Sequence, residues 1–439
     1  MVILPEQYGY KNHVEPIDFD FQEYQHLFNQ NSYSKFFDQR RDNKGLCYEF
    51  KIDKDTQKFK TSYFVGVDWI LENELPIFVQ PKLNNASSEV NFILMLMEAL
   101  EDSENFRHLD HLCQISFNKP LISVSQKQDL LSPLLVIQFL NILKKIVQKG
   151  LKKSYYKVES NLHSKVKGKI LMNPTIKHNH TRLKKEQNFC SYDEFGVNNI
   201  ENKILKKAFV FAQKQVISIQ GIKVKEISSL VNYIRPAFNS VDDNVLLEDL
   251  KNFHVNSLFK EYEQALKIAK LILKRFGYNI QNINAQKIKT PPFWIDMSKL
   301  FELFVFKKLR DAFPLRGEVT YHKHFNYLEP DYILKSKDGS FKLIVDAKYK
   351  PQYEEGNIST EDIRQVSGYA RMKSVYDFLN IKDHNTTIDC LIIYSNQNAL
   401  EEPIDKESLY EHPEKNYVNV YKKGIALPSM VTHTASTID

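Results

Sequence analysis

The chain has 439 residues, and because one domain holds roughly 150 residues, two or three domains are expected. Hydrophobic residues make up 42% of the chain and glycine occupies 13 positions, a composition that excludes a disordered or fibrous protein. The net charge of +6 permits nucleic-acid contact without requiring it.

The four cysteines are far apart in the chain and form no CxxC pair: Cys47, Cys113, Cys190 and Cys390. This spacing indicates neither a zinc site nor a disulfide framework. Reduced thiols in a cytosol are the simplest interpretation. The first residues show no secretory signal, and no apolar run approaches the ~18 residues of a membrane span. We therefore expect a cytoplasmic protein with no membrane partner.

The first part of the chain, residues 1–88, predicts a β-rich N-terminal adaptor domain. Aromatic and β-branched residues fill Phe59–Val67 and Leu75–Val79, and polar turns separate such segments. A polar joint at Asn85–Ser88 ends this part.

Residues 89–289 predict a mainly helical middle region, because apolar residues recur at three- and four-residue spacing, and we expect this region to be the part that binds a partner. The predicted helices are Val90–Leu100, Leu134–Val147 and Leu258–Phe276. The basic stretches Arg40-Arg41 and Lys144–Lys153 are candidates for DNA or partner contact, although a solvated helix face explains each of them as well.

Residues 290–439 alternate between helical and strand patterns. The predicted elements are a helix at Asp296–Phe313, strands at Glu318–His322, Tyr332–Leu334 and Phe341–Tyr349, a helix at Thr360–Leu379 and a strand at Thr387–Tyr394. The turn around Asp338-Gly339 joins the second and third strands as an antiparallel hairpin. This order implies a mixed sheet with helices on its faces, so the whole chain is predicted to be an α+β multidomain protein.

The hairpin carries the residues that predict chemistry. Asp346 and Lys348 alternate with buried positions and point to the same side of their strand, and Asp331 begins the partner strand beside them. Two carboxylates and an ammonium group at one place suit phosphodiester hydrolysis, because Mg²⁺ (with Mn²⁺ as a substitute) prefers oxygen ligands and activates a bound water. A lysine beside the metal orients that water or neutralises developing charge. An exposed hairpin with a surface ion pair is the simpler alternative for the motif alone.

Two helices add candidates. Glu302 lies at the edge of the apolar face of the first helix, where it completes the metal shell with Asp331 and Asp346, unless it is only a solvated helix edge. Gln365 and Tyr369 share one face of the later helix and line the cleft, where they contact phosphate or the attacking water, or else serve only its packing.

These residues resemble the PD-(D/E)xK nuclease pattern, and the chain more narrowly resembles the McrC family, the nuclease subunit of the McrBC 5-methylcytosine restriction system. The matching stretches are Phe293–Met297 with Leu300-Phe301-Glu302, Pro330-Asp331, Val345–Lys350, Asp362–Ala370, Val166–Ile170, and Tyr192–Phe195 with Glu201–Lys206. The likeness covers roughly residues 90–430, and residues 1–88 match less clearly. Glu329 adds an acid beside the site that the pattern does not require.

The resemblance implies a magnesium-dependent endodeoxyribonuclease subunit, with residues 290–439 as a PD-(D/E)xK-like endonuclease domain. It implies Asp331, Asp346, Lys348, Glu302 and Gln365 as the catalytic set. It also implies a McrB-like AAA+ GTPase hexamer as partner and double-stranded, modified DNA as substrate. The sequence agrees with nucleotide hydrolysis by a separate partner, because no Gly-Lys in it is followed by Ser or Thr, as a P-loop would require. The alternatives are a non-cleaving activator of an AAA+ NTPase with an idle nuclease fold, and a stand-alone repair nuclease.

Overall fold

The computed structural model describes residues 1–9, 19, 21–38, 44–53, 56–81, 88–99, 104–108, 112–125, 131–218, 225–245, 260–281, 287–325, 328–350, 358–396 and 404–431. It is a mixed α/β protein with several sheets. The predicted basic stretch at Arg40-Arg41 and most of the polar joint before Ser88 lie outside the described residues. Within the described ranges, no helix has the length and apolar character needed to cross a membrane.

The first elements in chain order are β1 (Val2–Pro5), β2 (Ser32–Asp38), β3 (Lys44–Asp53), β4 (Thr56–Thr61), β5 (Phe64–Leu71), β6 (Leu75–Gln80), β7 (Ser88–Val90), α1 (Phe92–Ala99), β8 (Cys113–Ile115) and β9 (Ile122–Ser125). They continue with α2 (Leu131–Lys149), β10 (Ser154–His163), β11 (Lys169–Ile170), α3 (Met172–His178), β12 (Gln187–Gly196), α4 (Ile200–Ser218), α5 (Lys225–Ile234) and α6 (Lys260–Gln281).

The last elements are β13 (Lys287–Thr290), β14 (Phe293–Asp296), α7 (Met297–Ala312), β15 (Val319–Tyr321), β16 (Tyr332–Lys335), β17 (Lys342–Lys348), α8 (Thr360–Ala370), α9 (Lys373–Leu379), β18 (Asp389–Ser395), β19 (Val420–Ile425) and β20 (Ser429–Val431). Short 3-10 helices occur at Gln22–Leu27, Asn105–His108, His180–Arg182, Arg235–Phe238 and Glu407–Tyr410.

The contacts divide the chain into two compact units. One unit comprises Met1–Leu130, Val224–Glu226 and Lys289–Asp439, and the other comprises Leu131–Lys223 and Ile227–Ile288. This grouping differs from the three consecutive segments 1–88, 89–289 and 290–439 that the sequence predicts. Sequence patterns report only neighbouring residues, whereas the units are set by pairing between distant ones.

The sheet of the N-terminal β-rich region includes β14, a strand from far along the chain. This five-stranded sheet has the order β1-β6-β5-β14-β8, and β14 pairs antiparallel with β5 so that Trp294 lies opposite Gly66. A Cβ at Gly66 would overlap the Phe293 carbonyl oxygen, so glycine is what lets the two strands pair this closely. Trp294 then packs, fully buried, among the aromatic residues of strands β2 to β4.

The second unit contains the helices α2 and α6, which the apolar periodicity predicts, and also α4, but it is not helical throughout. β10 and β12 form a long antiparallel ribbon, with Ser154 opposite Gly196, and β11 pairs with β12. Along β10 exposed residues alternate with partly exposed ones. Tyr156, Val158 and Leu162 lie at the less exposed positions of β10, with polar residues between them. This alternation is typical of a strand, and the prediction of a mainly helical region overlooks it.

The predicted mixed sheet after residue 290 is present. Its order is β15-β16-β17-β18-β19, with β15, β16 and β17 antiparallel and β17, β18 and β19 parallel. Ile333 and Ile344 face α8 within one apolar core, whereas the neighbouring Tyr332 stacks on Phe306 of α7. Successive strand residues point to opposite faces, so α7 and α8 cover the two faces of this sheet.

Two local details of this region differ from the sequence prediction. The helix predicted over Thr360–Leu379 is two helices, α8 and α9, because Met372 adopts an extended conformation between them. The strand predicted over Glu318–His322 is shorter, since β15 ends at Tyr321 and His322 has a positive φ. The start of α7 agrees with the prediction, because the Asp296 side chain accepts a hydrogen bond from the Lys299 N–H.

Candidate active site

The β16–β17 hairpin brings Asp331, Asp346 and Lys348 together. Tyr332 pairs with Val345, so the next position outward places Asp331 beside Asp346 across the hairpin. Asp331 Oδ2 accepts a hydrogen bond of 2.8 Å from the N–H of Ala347, the residue between Asp346 and Lys348. Asp346 and Lys348 share a face of β17, and their Oδ2 and Nζ atoms are 2.7 Å apart. The structure therefore has the convergence that the sequence predicts.

Asp346 is completely buried, with 0% of its surface exposed. Within the described part of the chain, its Oδ1 atom has no hydrogen-bond partner. A buried carboxylate oxygen without a partner is unfavourable unless another group satisfies it. Burial raises the pKa of the Asp346 carboxyl, and Lys348 only partly opposes this. A cation at Oδ1 would supply the missing interaction.

Burial also raises the pKa of Asp331 well above its ordinary value, and the nearby carboxylates of Asp346 and Glu302 add to the increase. Lys348 and the Ala347 N–H act in the opposite direction without cancelling it. The carboxylates of the hairpin thus remain under-neutralised by the protein alone. This is the electrostatic setting in which a divalent cation is held most strongly.

Lys348 is held in place by groups from β17 and α8. Its Nζ donates to Gln365 Oε1 at 2.9 Å and lies 3.8 Å from Asp362 Oδ1, and Gln365 Nε2 donates to the Tyr369 hydroxyl at 3.0 Å. Burial alone would lower the pKa of Lys348, but the surrounding carboxylates, Asp346 first, outweigh it and raise the pKa. Lys348 is therefore a fixed ammonium group, and Gln365 and Tyr369 lie beside it as the sequence predicts.

Asp362 is a site residue that the sequence prediction did not include. Ser359 does cap α8, because its hydroxyl accepts from the Asp362 N–H. The Asp362 carboxylate in addition binds Lys350 Nζ at 2.8 Å and approaches Lys348. The alternation of Lys348 and Lys350 along the chain was a signal that an acid from another element faces them.

Glu302 lies on the side of the site that α7 forms. It is partly exposed, and its Oε2 atom accepts from the Tyr321 hydroxyl at 3.1 Å and lies 3.0 Å from His322 Nε2. The Tyr332 hydroxyl donates to the Glu302 backbone carbonyl at 2.6 Å, which ties α7 to β16. Glu302 is thus at the edge of the apolar helix face and within the site, as the sequence predicts.

One group of donor atoms includes a residue outside the predicted metal set of Asp331, Asp346 and Glu302. Glu302, His322 and Asp331 each present one ligand atom, and these atoms lie within 4.8 Å of one another. Asp346 belongs to the same site, because its charge acts on Asp331 and its Oδ2 atom pairs with Lys348. Sequence reasoning missed His322, and the only available signal was its place at the end of a predicted strand.

The donor set fits a divalent cation, since it offers carboxylate oxygens, one imidazole nitrogen and a buried oxygen that lacks a partner.

The other basic stretch of the sequence, Lys144–Lys153, lies in the second unit, where Lys149 pairs with Glu261 and Lys152 with Glu201. Those lysines have acidic partners within their own unit, in agreement with the structural alternative for that stretch.

The chain matches the family model of the McrBC 5-methylcytosine restriction system component over residues 60–378. One similar solved structure is a half-complex of Thermococcus gammatolerans McrB AAA+ hexamers with bound McrC; identity is 17%, the TM-score is 0.36, and the match covers 85% of this chain and 80% of that one. Another is the Thermococcus gammatolerans McrBC complex, with 20% identity, a TM-score of 0.26, and coverage of 59% of this chain and 69% of that one. No curated protein sequence matches the chain.

Proposed function

We propose that this chain, which belongs to the family of McrBC 5-methylcytosine restriction system components, is the DNA-cleaving subunit of such a system and has a PD-(D/E)xK-type active site. The activity is metal-dependent hydrolysis of a phosphodiester bond in double-stranded DNA. The family assignment supplies the biological setting, and the geometry of the β16–β17 hairpin supplies the chemistry. A cytoplasmic location is part of the proposal, because the substrate is DNA.

The observation that carries the proposal is the buried Asp346. Its Oδ1 has no hydrogen-bond partner among the described residues, and it lies beside a second, partly buried acid, Asp331, and a fixed ammonium group, Lys348. A surface ion pair would leave both partners hydrated, and Asp346 is 0% exposed. Burying acids in this way reduces stability, so the arrangement suits a binding site better than a structural ion pair.

Asp331, Asp346 and Glu302 would hold the metal, with Mg²⁺ as the expected ion and Mn²⁺ as a substitute. The bound ion supplies Lewis-acid stabilisation of the phosphate and a water of lowered pKa. Lys348 remains protonated because its pKa is raised, so it acts as a cation that stabilises negative charge on the phosphate or positions the attacking water. Gln365 holds Lys348 in that position through its Oε1 atom.

The partner in this proposal is a McrB-like AAA+ GTPase hexamer, which selects modified DNA and is stimulated by this chain. Support comes from membership of a restriction system and from the absence of a P-loop motif in the sequence. A chain that cuts DNA but has no nucleotide-binding loop depends on another protein for nucleotide-driven translocation.

The experiment compares cleavage of methylated double-stranded DNA by wild type, Asp346→Asn, Lys348→Met and Lys342→Ala. Each protein is assayed with the partner, nucleotide and Mg²⁺. Lys342 is a matched control, because it lies on the same face of β17 as Lys348 but at the far end of the strand. We expect no cleavage by Asp346→Asn, a loss of about 10²–10³-fold for Lys348→Met, and wild-type cleavage by Lys342→Ala.

The nucleotide hydrolysis of the partner is measured in the same samples. The proposal expects both site variants to stimulate it like wild type, because their folding and assembly are unchanged. Stimulation without cleavage by wild type, under Mg²⁺ and Mn²⁺ alike, would favour the activator with an idle nuclease fold. Cleavage by Asp346→Asn at the wild-type rate would show that the active site does not lie on the β16–β17 hairpin.

A further inference from the structure

His322 occupies an unusual backbone position at the edge of the candidate active site. Its φ is +49°, in the left-handed region that residues with a Cβ seldom adopt. Its N–H donates to the Asp331 carbonyl oxygen at 2.9 Å, so the turn out of β15 is fastened to the first acid of the site. Backbone conformations of this kind are unfavourable and persist only where the surrounding structure holds them in place. They cluster at active sites and ligand-binding sites.

Both ring nitrogens of His322 face carboxylates. Nε2 is 3.0 Å from Glu302 Oε2, and Nδ1 is 3.2 Å from Glu329 Oε1. Metal-binding histidines commonly use one nitrogen for the ion and donate the other N–H to a carboxylate, which fixes the tautomer and the ring orientation. Here Glu329 occupies the position of that orienting carboxylate, and Nε2 is directed toward Glu302.

The third donor distinguishes a metal site from an ion pair. A protonated His322 between Glu302 and Glu329 would explain those two contacts alone. His322, however, offers one ring nitrogen to a group that also contains ligand atoms of Glu302 and Asp331, all within 4.8 Å of one another, and Nε2 is the nitrogen directed toward Glu302. One divalent ion would satisfy all three donors together.

We propose that His322 is a metal ligand through Nε2, that Glu329 positions its ring, and that the site consequently binds Mn²⁺ more tightly than Mg²⁺. This inference rests on the proposed function, because it concerns the metal of the same site. Imidazole nitrogen suits first-row transition metals, whereas Mg²⁺ prefers ligand shells made of oxygen alone. His322 and Glu329 thereby extend the predicted metal set of Asp331, Asp346 and Glu302.

The test measures metal binding by the full-length chain, without affinity tag, DNA or partner. Mn²⁺ and Mg²⁺ affinities are determined by calorimetry, and the Mn²⁺ complex is examined by pulsed electron paramagnetic resonance for coupling to a histidine nitrogen. Wild type should show ¹⁴N coupling that becomes ¹⁵N coupling when histidine is ¹⁵N-labelled. This measurement needs no substitution, so it does not depend on the folding of a variant.

Three variants complete the test. His322→Asn should lose the nitrogen coupling and bind Mn²⁺ about 10–100-fold more weakly, with a smaller change for Mg²⁺. Glu329→Gln should retain the coupling but weaken Mn²⁺ binding, as expected of a positioning residue. His324→Asn is the matched control and should match wild type, because His324 also contacts Glu329 but is largely exposed and lies outside the donor group.

Mn²⁺ bound to wild type without histidine coupling, or unchanged Mn²⁺ affinity in a folded His322→Asn, would overturn the inference. The two proposals fail in different ways. Cleavage with Mg²⁺ but no nitrogen coupling leaves the nuclease function intact and rejects His322 as a ligand. Histidine-coupled Mn²⁺ in a protein that never cleaves DNA with its partner supports the ligand and rejects the function.

Discussion

Tyr332→Phe tests whether the fold holds the two sides of the site together. The Tyr332 hydroxyl donates to the Glu302 carbonyl at 2.6 Å, and the residue is 0% exposed. Phenylalanine keeps the ring contacts with Phe306 and Tyr321, so the substitution removes the hydrogen bond and little packing. A buried acceptor that loses its donor costs about 1–3 kcal/mol, and we expect the free energy of unfolding to fall by that amount.

The same bond fixes α7 against β16, so its loss should also loosen Glu302. We expect metal affinity to fall about tenfold in Tyr332→Phe, comparable to the effect of other residues that orient metal ligands. The matched control is the substitution Tyr376→Phe on α9. In the wild type, the buried Tyr376 hydroxyl donates to the Thr386 backbone carbonyl at 2.8 Å. Denaturant unfolding and calorimetric metal titration should give a similar stability loss for both variants, but weaker metal binding only for Tyr332→Phe. Equal metal binding by both variants would refute the positioning role of Tyr332.

Two further predictions follow from the charges and contacts of the site. Because burial raises the pKa of Asp331 in the folded state, the free energy of unfolding of the metal-free protein falls as the pH rises from the ordinary pKa of this carboxyl to the raised one, and it stays low above that. Asp331→Asn should therefore melt at a higher temperature than wild type at pH 7.5 in EDTA, with a difference that shrinks toward pH 4; a lower melting temperature at pH 7.5 would contradict this. Gln365→Leu removes the acceptor of Lys348 Nζ and should lower cleavage about tenfold with wild-type metal affinity, less than the loss caused by Lys348→Met. A wild-type cleavage rate would show that Gln365 does not position Lys348.

The sequence was most informative where neighbouring residues decide the structure. The β16–β17 hairpin was predictable because an apolar run, Leu343 to Val345, precedes an acid and because Asp338-Gly339 marks the turn. The start of α7 at Asp296 was predictable for a similar reason, since a capping side chain precedes an apolar helix face. Local signals therefore yielded the placement of Asp331, Asp346 and Lys348.

The features that the sequence did not reveal depend on contacts between distant residues. No local pattern indicates that β14 joins the N-terminal sheet opposite Gly66. His322 was missed because its contact with Glu302 is set by how β15 packs on α7. A single sequence records which residues are present, but it does not record which of them fold against each other.

The position of the site explains how the fold tolerates its charges. Glu302, Asp331 and Asp346 bring three carboxylates together, and Lys348 lies 2.7 Å from one of them. The two acids of the hairpin lie at the ends of strands: Asp331 precedes β16, and Asp346 lies near the end of β17. The strands beside these acids are buried and apolar, with Ile333 and Ile344 at 0% exposure. The apolar packing of the hairpin offsets the unfavourable burial of its acids, so the protein can keep excess negative charge at the place where a cation binds.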